Sequence, residues 1–199
     1  RTLDKHLDCL RALNLVVPDS LKKPELRGFA TSNILHRHSL EPRSYVVIHP
    51  GARWMFKTLT AAQWVEILTI LGDQLTTTLV LSSGPSEAEV SLCEDISIRC
   101  HGLKLNLLTL AGTMSLADLA RLVGSAKLFV GVDSLAAHIA HAADTPGVVF
   151  FGPTKDHVWG PPPESTLQLA VSKRHKCRPC DQDGCDGSKI SDCLTSLTY

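Results

Sequence analysis

The densest chemistry in the chain lies in the turn Val130-Gly131-Val132-Asp133-Ser134-Leu135-Ala136-Ala137-His138. A short apolar run ends there and a helical pattern begins. Asp133 and Ser134 therefore stand where unpaired backbone N–H groups and the positive end of a helix dipole favour an anion, above all a phosphate. His138 falls one turn into that helix, with a ring nitrogen to offer a phosphate or sugar oxygen; the plainer alternative is a packed histidine whose ring is already satisfied. His141 has a spacing from His138 that suits a metal, but no third ligand accompanies it, and a place in the core or on the helix face is the preferred reading.

Four further loops offer partners of the same kind. His49-Pro50-Gly51-Ala52-Arg53-Trp54-Met55-Phe56-Lys57 sets small Gly51 directly after an apolar run, where backbone can approach a ligand, and adds Arg53 and Lys57 as cations that could neutralise a diphosphate. It lacks the G-x-G-x-x-G dinucleotide fingerprint. In Ser82-Ser83-Gly84-Pro85-Ser86-Glu87-Ala88-Glu89, Glu87 is the candidate to take both hydroxyls of a ribose, or else it is first-turn acid complementing a helix dipole, while Glu89 reads as the capping partner of Ser86. Leu110-Ala111-Gly112-Thr113-Met114 suits a platform for a base with Met114 against the ring, although a plain helix cap explains it as well. Thr154, in Phe151-Gly152-Pro153-Thr154, could hydrogen-bond a ligand in the same crevice, and Pro161, Pro162 and Pro163 should keep the segment beyond it extended.

A different constellation ends the chain. Cys177, Cys180, Cys185 and Cys193 supply the four thiols of a tetrahedral structural zinc, but their x2, x4 and x7 spacings are not a familiar zinc-ribbon pattern. Disulfide pairing and reduced thiols are the alternatives. An odd total of seven cysteines in a chain without an export signal favours reduced thiols. No metal is assigned on this evidence.

These residues need a scaffold that brings strand ends together. Apolar runs at 45–48, 78–81, 105–108, 127–130 and 148–151, with a sixth at 167–171, are of the length expected of strands buried on both faces. Between them, Thr60 with Gln63, Ser86 with Glu89 and Ser115 with Asp118 have capping-box spacing, and they open helices over 61–72, 86–97, 115–124 and 134–143. Such alternation predicts an α/β fold with a doubly wound parallel sheet, in which ligands bind at the carboxyl ends of the strands. Residues 1–44, broken by Pro18, Pro24 and Pro42, read as a linker with one short helix from Leu3 to Leu13; residues 45–199 read as the ligand-binding domain, with its Cys-rich tail at 177–193.

Bulk properties narrow the function classes. The 199 residues are 44% hydrophobic and 20% charged, as in a globular domain. Lys+Arg and Asp+Glu balance at 20 each, so no net field recruits nucleic acid or an anionic membrane, and an anion must be held locally. No apolar run is long enough to span a bilayer and the first residues lack a signal-peptide core, which makes a cytoplasmic chain the default. Because the sequence opens on Arg1 it reads as a piece of something longer.

Taken in order, His49-Pro50-Gly51, Lys57, Gly84-Pro85-Ser86-Glu87, Leu110-Ala111-Gly112-Thr113, Gly131-Val132-Asp133-Ser134 with His138, and Phe151-Gly152-Pro153-Thr154 resemble the successive motifs of the glycosyltransferase family that contains the ADP-heptose:lipopolysaccharide heptosyltransferases. The tail Cys177-Arg178-Pro179-Cys180 with Asp183-Gly184-Cys185 and Ser191-Asp192-Cys193-Leu194 is similar to that family's ending, and the wording is most similar to the branch that adds the third heptose of the inner core. The resemblance implies a GT-B enzyme with two Rossmann-like domains, of which this chain is the C-terminal, donor-binding one. It implies ADP-heptose as donor, no separate cofactor, Lys57 and the 133–138 turn at the diphosphate, and Glu87 at the ribose. It further implies a lipopolysaccharide core acceptor and a general-base aspartate, both held by the other domain, with peripheral association at the cytoplasmic face of the inner membrane. This chain alone should then bind donor and transfer nothing. Ser134-Leu135-Ala136-Ala137-His138 departs from the family in lacking the Gly-Pro or Ala-Pro that commonly precedes the histidine. A non-catalytic binding module and another GT-B-type enzyme, such as a nucleotide-sugar epimerase, are the competing functions.

Overall fold

The structure, a computed structural model, describes residues 2–16, 26, 31–161 and 165–198. Strands β1 (Tyr45–His49), β2 (Thr78–Leu81), β3 (Leu107–Thr109), β4 (Leu128–Val132), β5 (Gly147–Phe150) and β6 (Gln168–Val171) form one sheet in the order β3-β2-β1-β4-β5-β6. Every pairing is parallel. The helices are α1 (Thr2–Ala12), α2 (Ile34–Arg37), α3 (Ala61–Gln74), α4 (Glu87–Arg99), α5 (Leu116–Gly124), α6 (Leu135–Ala142), α7 (Asp156–Trp159) and α8 (Asp192–Thr195).

The alternation of side chains along β1 divides the core in two. Tyr45 and Val47 join Phe129 and the apolar faces of α5 and α6 on one side of the sheet. Val46 and Ile48 join Trp64 and Ile67 of α3 and Ile96 of α4 on the other. Both faces are thus covered, and all five residues of β1 are buried, which is why the strands read as unbroken apolar runs. Trp64 meets Phe150 edge-on, with ring centroids 5.9 Å apart.

Two expected capping boxes form in full. Thr60 Oγ1 accepts from the Gln63 N–H while the Gln63 carbonyl takes the Thr60 N–H, and Ser115 and Asp118 exchange the same pair of bonds. At α4 only half the box forms: Ser86 Oγ accepts from the Glu89 N–H, but the Glu89 carboxylate takes the Ser86 hydroxyl at 2.6 Å instead of returning to its backbone. Gln63 has a second task. Its side-chain NH2 donates to the carbonyls of Leu194 at 3.0 Å, Leu197 at 3.1 Å and Thr195 at 3.3 Å, satisfying acceptors that the end of α8 leaves open.

Elsewhere the chain departs from expectation for local reasons. β3 begins two residues later than the apolar run 105–108, because the Leu105 N–H is drawn into a turn onto the Leu103 carbonyl at 2.9 Å. The short helices α2, α7 and α8 have four residues each, too few for a periodic pattern. The end of the expected linker packs as core: Ile34, Leu35 and Leu40 are buried, Arg37 pairs with Asp118 of α5 at 2.8 Å, and Arg43 donates to the Ala126 carbonyl at 2.8 Å. In the first helical segment Leu7 is buried while Leu10 and Leu13 are exposed. Residues 17–25 and 27–30 of that linker, and Pro162 and Pro163 of the proline run, lie outside the described residues.

Candidate functional site

β1 lies at the middle of the sheet, with β2 on one side and β4 on the other, so the connections leaving it and β4 run to opposite faces and open a crevice at their carboxyl ends. A cavity of about 610 Å³ occupies that crevice, walled by the loops after β1, β2 and β4 and by the start of α5.

Its polar centre is built on one carboxylate. A 3-10 turn over Met55–Lys57, closed by the Lys57 N–H on the Trp54 carbonyl, brings the Lys57 ammonium to Asp133 Oδ2 at 2.8 Å. The Thr154 hydroxyl donates to the same oxygen at 2.7 Å. Asp133 is 4% exposed and the Lys57 side chain 18%, so this pair is held largely away from water and ties together the loops after β1, β4 and β5. Only one of the three ammonium hydrogens is spent on Asp133, which leaves donors facing the cavity.

The next residue opens α6. Ser134 is its N-cap, but the serine side chain makes no capping bond, and Ser134 Oγ is buried without a hydrogen-bond partner among the described residues. A buried, unpaired hydroxyl beside uncapped helix N–H groups is costly unless something accepts from it. His138 lines the same wall. Desolvation pushes its pKa below the ordinary histidine value, with Asp133 opposing and Lys57 reinforcing the shift, so the ring is neutral at pH 7 and has one N–H to donate.

Glu89 forms the opposite side. It is 6% exposed and lies against the two loop glycines: a Cβ at Gly84 would fall 2.6 Å from Glu89 Oε2, and one at Gly51 2.9 Å from its Cγ. Glycine at both places lets the loops after β1 and β2 close over the carboxylate. Ser83 Oγ accepts from the Gly112 N–H at 3.0 Å and so links the second loop to the one that carries Met114. His49 ends β1 beneath the cavity, its Nδ1 3.0 Å from Ser82 Oγ, and complete burial drives its pKa down to about 4.

Arg53, Lys57, Met114, Asp133, Ser134 and His138 all line this one cavity, as the loops in which they were singled out require. Gly51 and Thr154 stand behind it, on Glu89 and Asp133 respectively. Glu87 is exposed on the first turn of α4 and is not among the lining residues; Glu89, assigned from sequence to capping alone, is. His49, Trp54 and Trp159 also line the cavity without having been singled out. Arg53 lies over the Trp54 ring, 5.3 Å from its centroid. Nothing in the spacing of Trp159 marks it, since it arrives on the four-residue helix α7.

The cysteine tail forms a separate place. Cys177, Cys180, Cys185 and Cys193 line a second cavity of about 440 Å³ as free thiols. No group of three or more His, Cys, Asp or Glu side chains is gathered to hold a metal ion among the described residues, here or elsewhere.

The family model for glycosyltransferase family 9 (heptosyltransferase) matches residues 11–190. The chain belongs to that family. It is 34% identical over 132 residues to lipopolysaccharide heptosyltransferase 3 of Escherichia coli, and 37% identical over 133 residues to the protein of the same name from strain K12. Each match covers 66% of this chain and 38% of the relative. The fold is similar to that of Escherichia coli ADP-heptose lps heptosyltransferase II, with a TM-score of 0.69 at 21% identity over 92% of this chain and 52% of that one. It is similar also to Escherichia coli heptosyltransferase WaaC with ADP, with a TM-score of 0.59 at 22% identity over 81% of this chain and 46% of that one. This member of family 9 therefore has the Rossmann-like fold of one half of a GT-B glycosyltransferase and spans about half the length of those structures.

Proposed function

We propose that this chain is the C-terminal, donor-binding domain, residues 45–199, of an enzyme that transfers heptose from ADP-L-glycero-D-manno-heptose to the inner core of lipopolysaccharide. The observation that carries the reading is the open N-terminus of α6, where the orphaned Ser134 hydroxyl and uncapped N–H groups share a cavity with Lys57. Together they form an anion cradle inside a family of heptosyltransferases. Family membership favours transfer over an epimerase or a non-catalytic module.

In this reading the diphosphate sits on the start of α6, held by Lys57, Arg53, Ser134 and the neutral His138. Glu89, rather than Glu87, accepts the ribose hydroxyls, because it lines the cavity while Glu87 does not, and the other lining carboxylate, Asp133, is taken by Lys57 and Thr154. Met114 packs against the adenine. A core-sugar hydroxyl attacks the anomeric carbon, the bond from that carbon to the diphosphate oxygen breaks with inversion, and ADP departs. Lys57 and the helix N–H groups take up the charge that develops on the leaving group. The proton lost by the acceptor passes to a carboxylate base in the other half of the enzyme, which also holds the lipopolysaccharide acceptor, so this chain alone binds donor without turning it over. No separate cofactor is called for. The chain would work in the cytoplasm or peripherally at the inner face of the inner membrane; among the described residues no helix is long and apolar enough to cross a membrane.

Calorimetric titration of the 199-residue chain with ADP tests the reading. Saturable binding that weakens by about tenfold or more on Lys57→Met supports it. A folded protein that takes up no ADP at millimolar concentration overturns it.

A further inference from the structure

The Cys177-Arg178-Pro179-Cys180 segment has no place in the chemistry described above, yet Arg178 is among the more deeply held charges of the protein, its side chain 10% exposed. It is absent from the donor cavity wall. Its guanidinium instead spans two points of the loop after β5: Nε donates to the Gly152 carbonyl at 2.7 Å, and Nη2 to Asp156 Oδ2 at 2.9 Å. Ser172 Oγ donates to the same Asp156 oxygen at 3.1 Å. The backbone beside it completes the grip, since the N–H groups of Cys180 and Asp181 both donate to the Pro153 carbonyl, at 3.1 and 3.0 Å.

The clamped loop holds two walls of the site. Thr154 follows Pro153 and places its hydroxyl on Asp133 Oδ2, the oxygen that also receives Lys57. Asp156 begins α7, whose last residue, Trp159, lines the cavity. Burial opposes ionisation of Asp156, but the guanidinium and the Ser172 hydroxyl outweigh it and pull its pKa below the ordinary carboxylate value, so the clamp is charged on both sides at neutral pH. A planar, forked donor suits this task, because an ammonium is a point charge that cannot reach a carbonyl and a carboxylate in fixed directions together.

We infer that Arg178 is a positioning residue for the donor site: it fixes residues 152–156 and, through Thr154, sets Asp133 and Lys57 for the diphosphate. This rests on the donor-binding reading, and the experiment separates the two. ADP affinity is measured for the wild-type chain, Arg178→Ala, Thr154→Val and the double variant, while hydrogen exchange follows the backbone of residues 152–160. Arg178→Ala should weaken ADP by about 2- to 30-fold, the range expected of a residue that acts through its neighbours. In the Thr154→Val background the same change should have little further effect, because the route is already cut. Arg178→Lys should not restore affinity, whereas methylguanidinium added to Arg178→Gly should. Protection should fall in 152–160 and persist in β1 and β4. If Arg178→Ala does not fold, Asp156→Asn removes one end of the clamp and carries the same cycle. An Arg178→Ala chain that binds ADP like wild type, or whose loss adds in full to that of Thr154→Val, overturns the inference; so does unchanged exchange in the loop. Failure of the wild-type chain to bind ADP removes the donor reading instead, and the exchange data still decide whether Arg178 orders the loop.

Discussion

Replacing Lys57 with methionine separates the two roles of the Lys57–Asp133 pair. Asp133 is 4% exposed, so removing its cation strands a carboxylate in the interior, which in buried pairs costs about 3–5 kcal/mol. Two features place the cost at the lower end, about 3 kcal/mol: the Thr154 hydroxyl stays on the same oxygen at 2.7 Å, and the cavity admits water beside it. For a chain of 199 residues this lowers Tm by about 6–12 °C, read by circular dichroism or calorimetry. Adding Asp133→Asn removes the stranded charge and should recover most of that loss. ADP binding should not recover. A charge-assisted hydrogen bond contributes about 1.5–3 kcal/mol, so both the single and the double variant should bind ADP about 10- to 150-fold more weakly. A Lys57→Met chain as stable as wild type would refute the buried-pair argument. A double variant that regains full ADP affinity would refute the part given to Lys57 at the phosphate.

Three further outcomes are expected. His49 has its folded pKa depressed from 6.5 to about 4, so the unfolded chain binds more protons between those values; stability present above pH 6.5 falls by about 3 kcal/mol as the pH drops to 4, with His138 acting in the same direction, and His49→Gln should flatten that part of a denaturation profile taken against pH. Glu89→Gln should weaken ADP about tenfold and erase its advantage over 2′,3′-dideoxy-ADP, while Glu87→Gln leaves both ligands unchanged; the reverse pattern would move the ribose contact out of the cavity. Thr60→Ala removes the hydroxyl that accepts the Gln63 N–H and should cost about 1 kcal/mol in urea denaturation with the slope unchanged.

The parts of the fold that were legible in the sequence are those where one physical cause acts alone. β1 reads as Tyr45-Val46-Val47-Ile48 because both its faces are covered, and α3 and α5 announce their starts because each capping box closes within four consecutive residues, whatever else Gln63 and Asp118 bind. Glu89 shows the limit. Its spacing from Ser86 has a sufficient local explanation, and only the tertiary approach of Gly51 and Gly84 reveals that the same carboxylate walls a cavity. Trp159 and α2 were out of reach for another reason: four-residue helices carry no period, and their positions are fixed by distant partners such as Arg178 on Asp156 and Arg37 on Asp118. Asp133 could be located by its place after β4, but not its partnership with Lys57, which lies 76 residues earlier.

The Gln63 amide has a bearing on how the chain is made. Its NH2 group is buried in α3 and donates to carbonyls of Leu194, Thr195 and Leu197, more than 130 residues downstream. Synthesis delivers α3 long before those carbonyls exist, and the amide must find water or another acceptor in the interval. The sheet can assemble strand by strand as it emerges, but the face that carries α3 stays unsealed until α8 docks. A released chain that ends before Leu194 should therefore look like a sheet with one soft side, open to proteases around α3, whereas one that reaches past Leu197 should be closed to them.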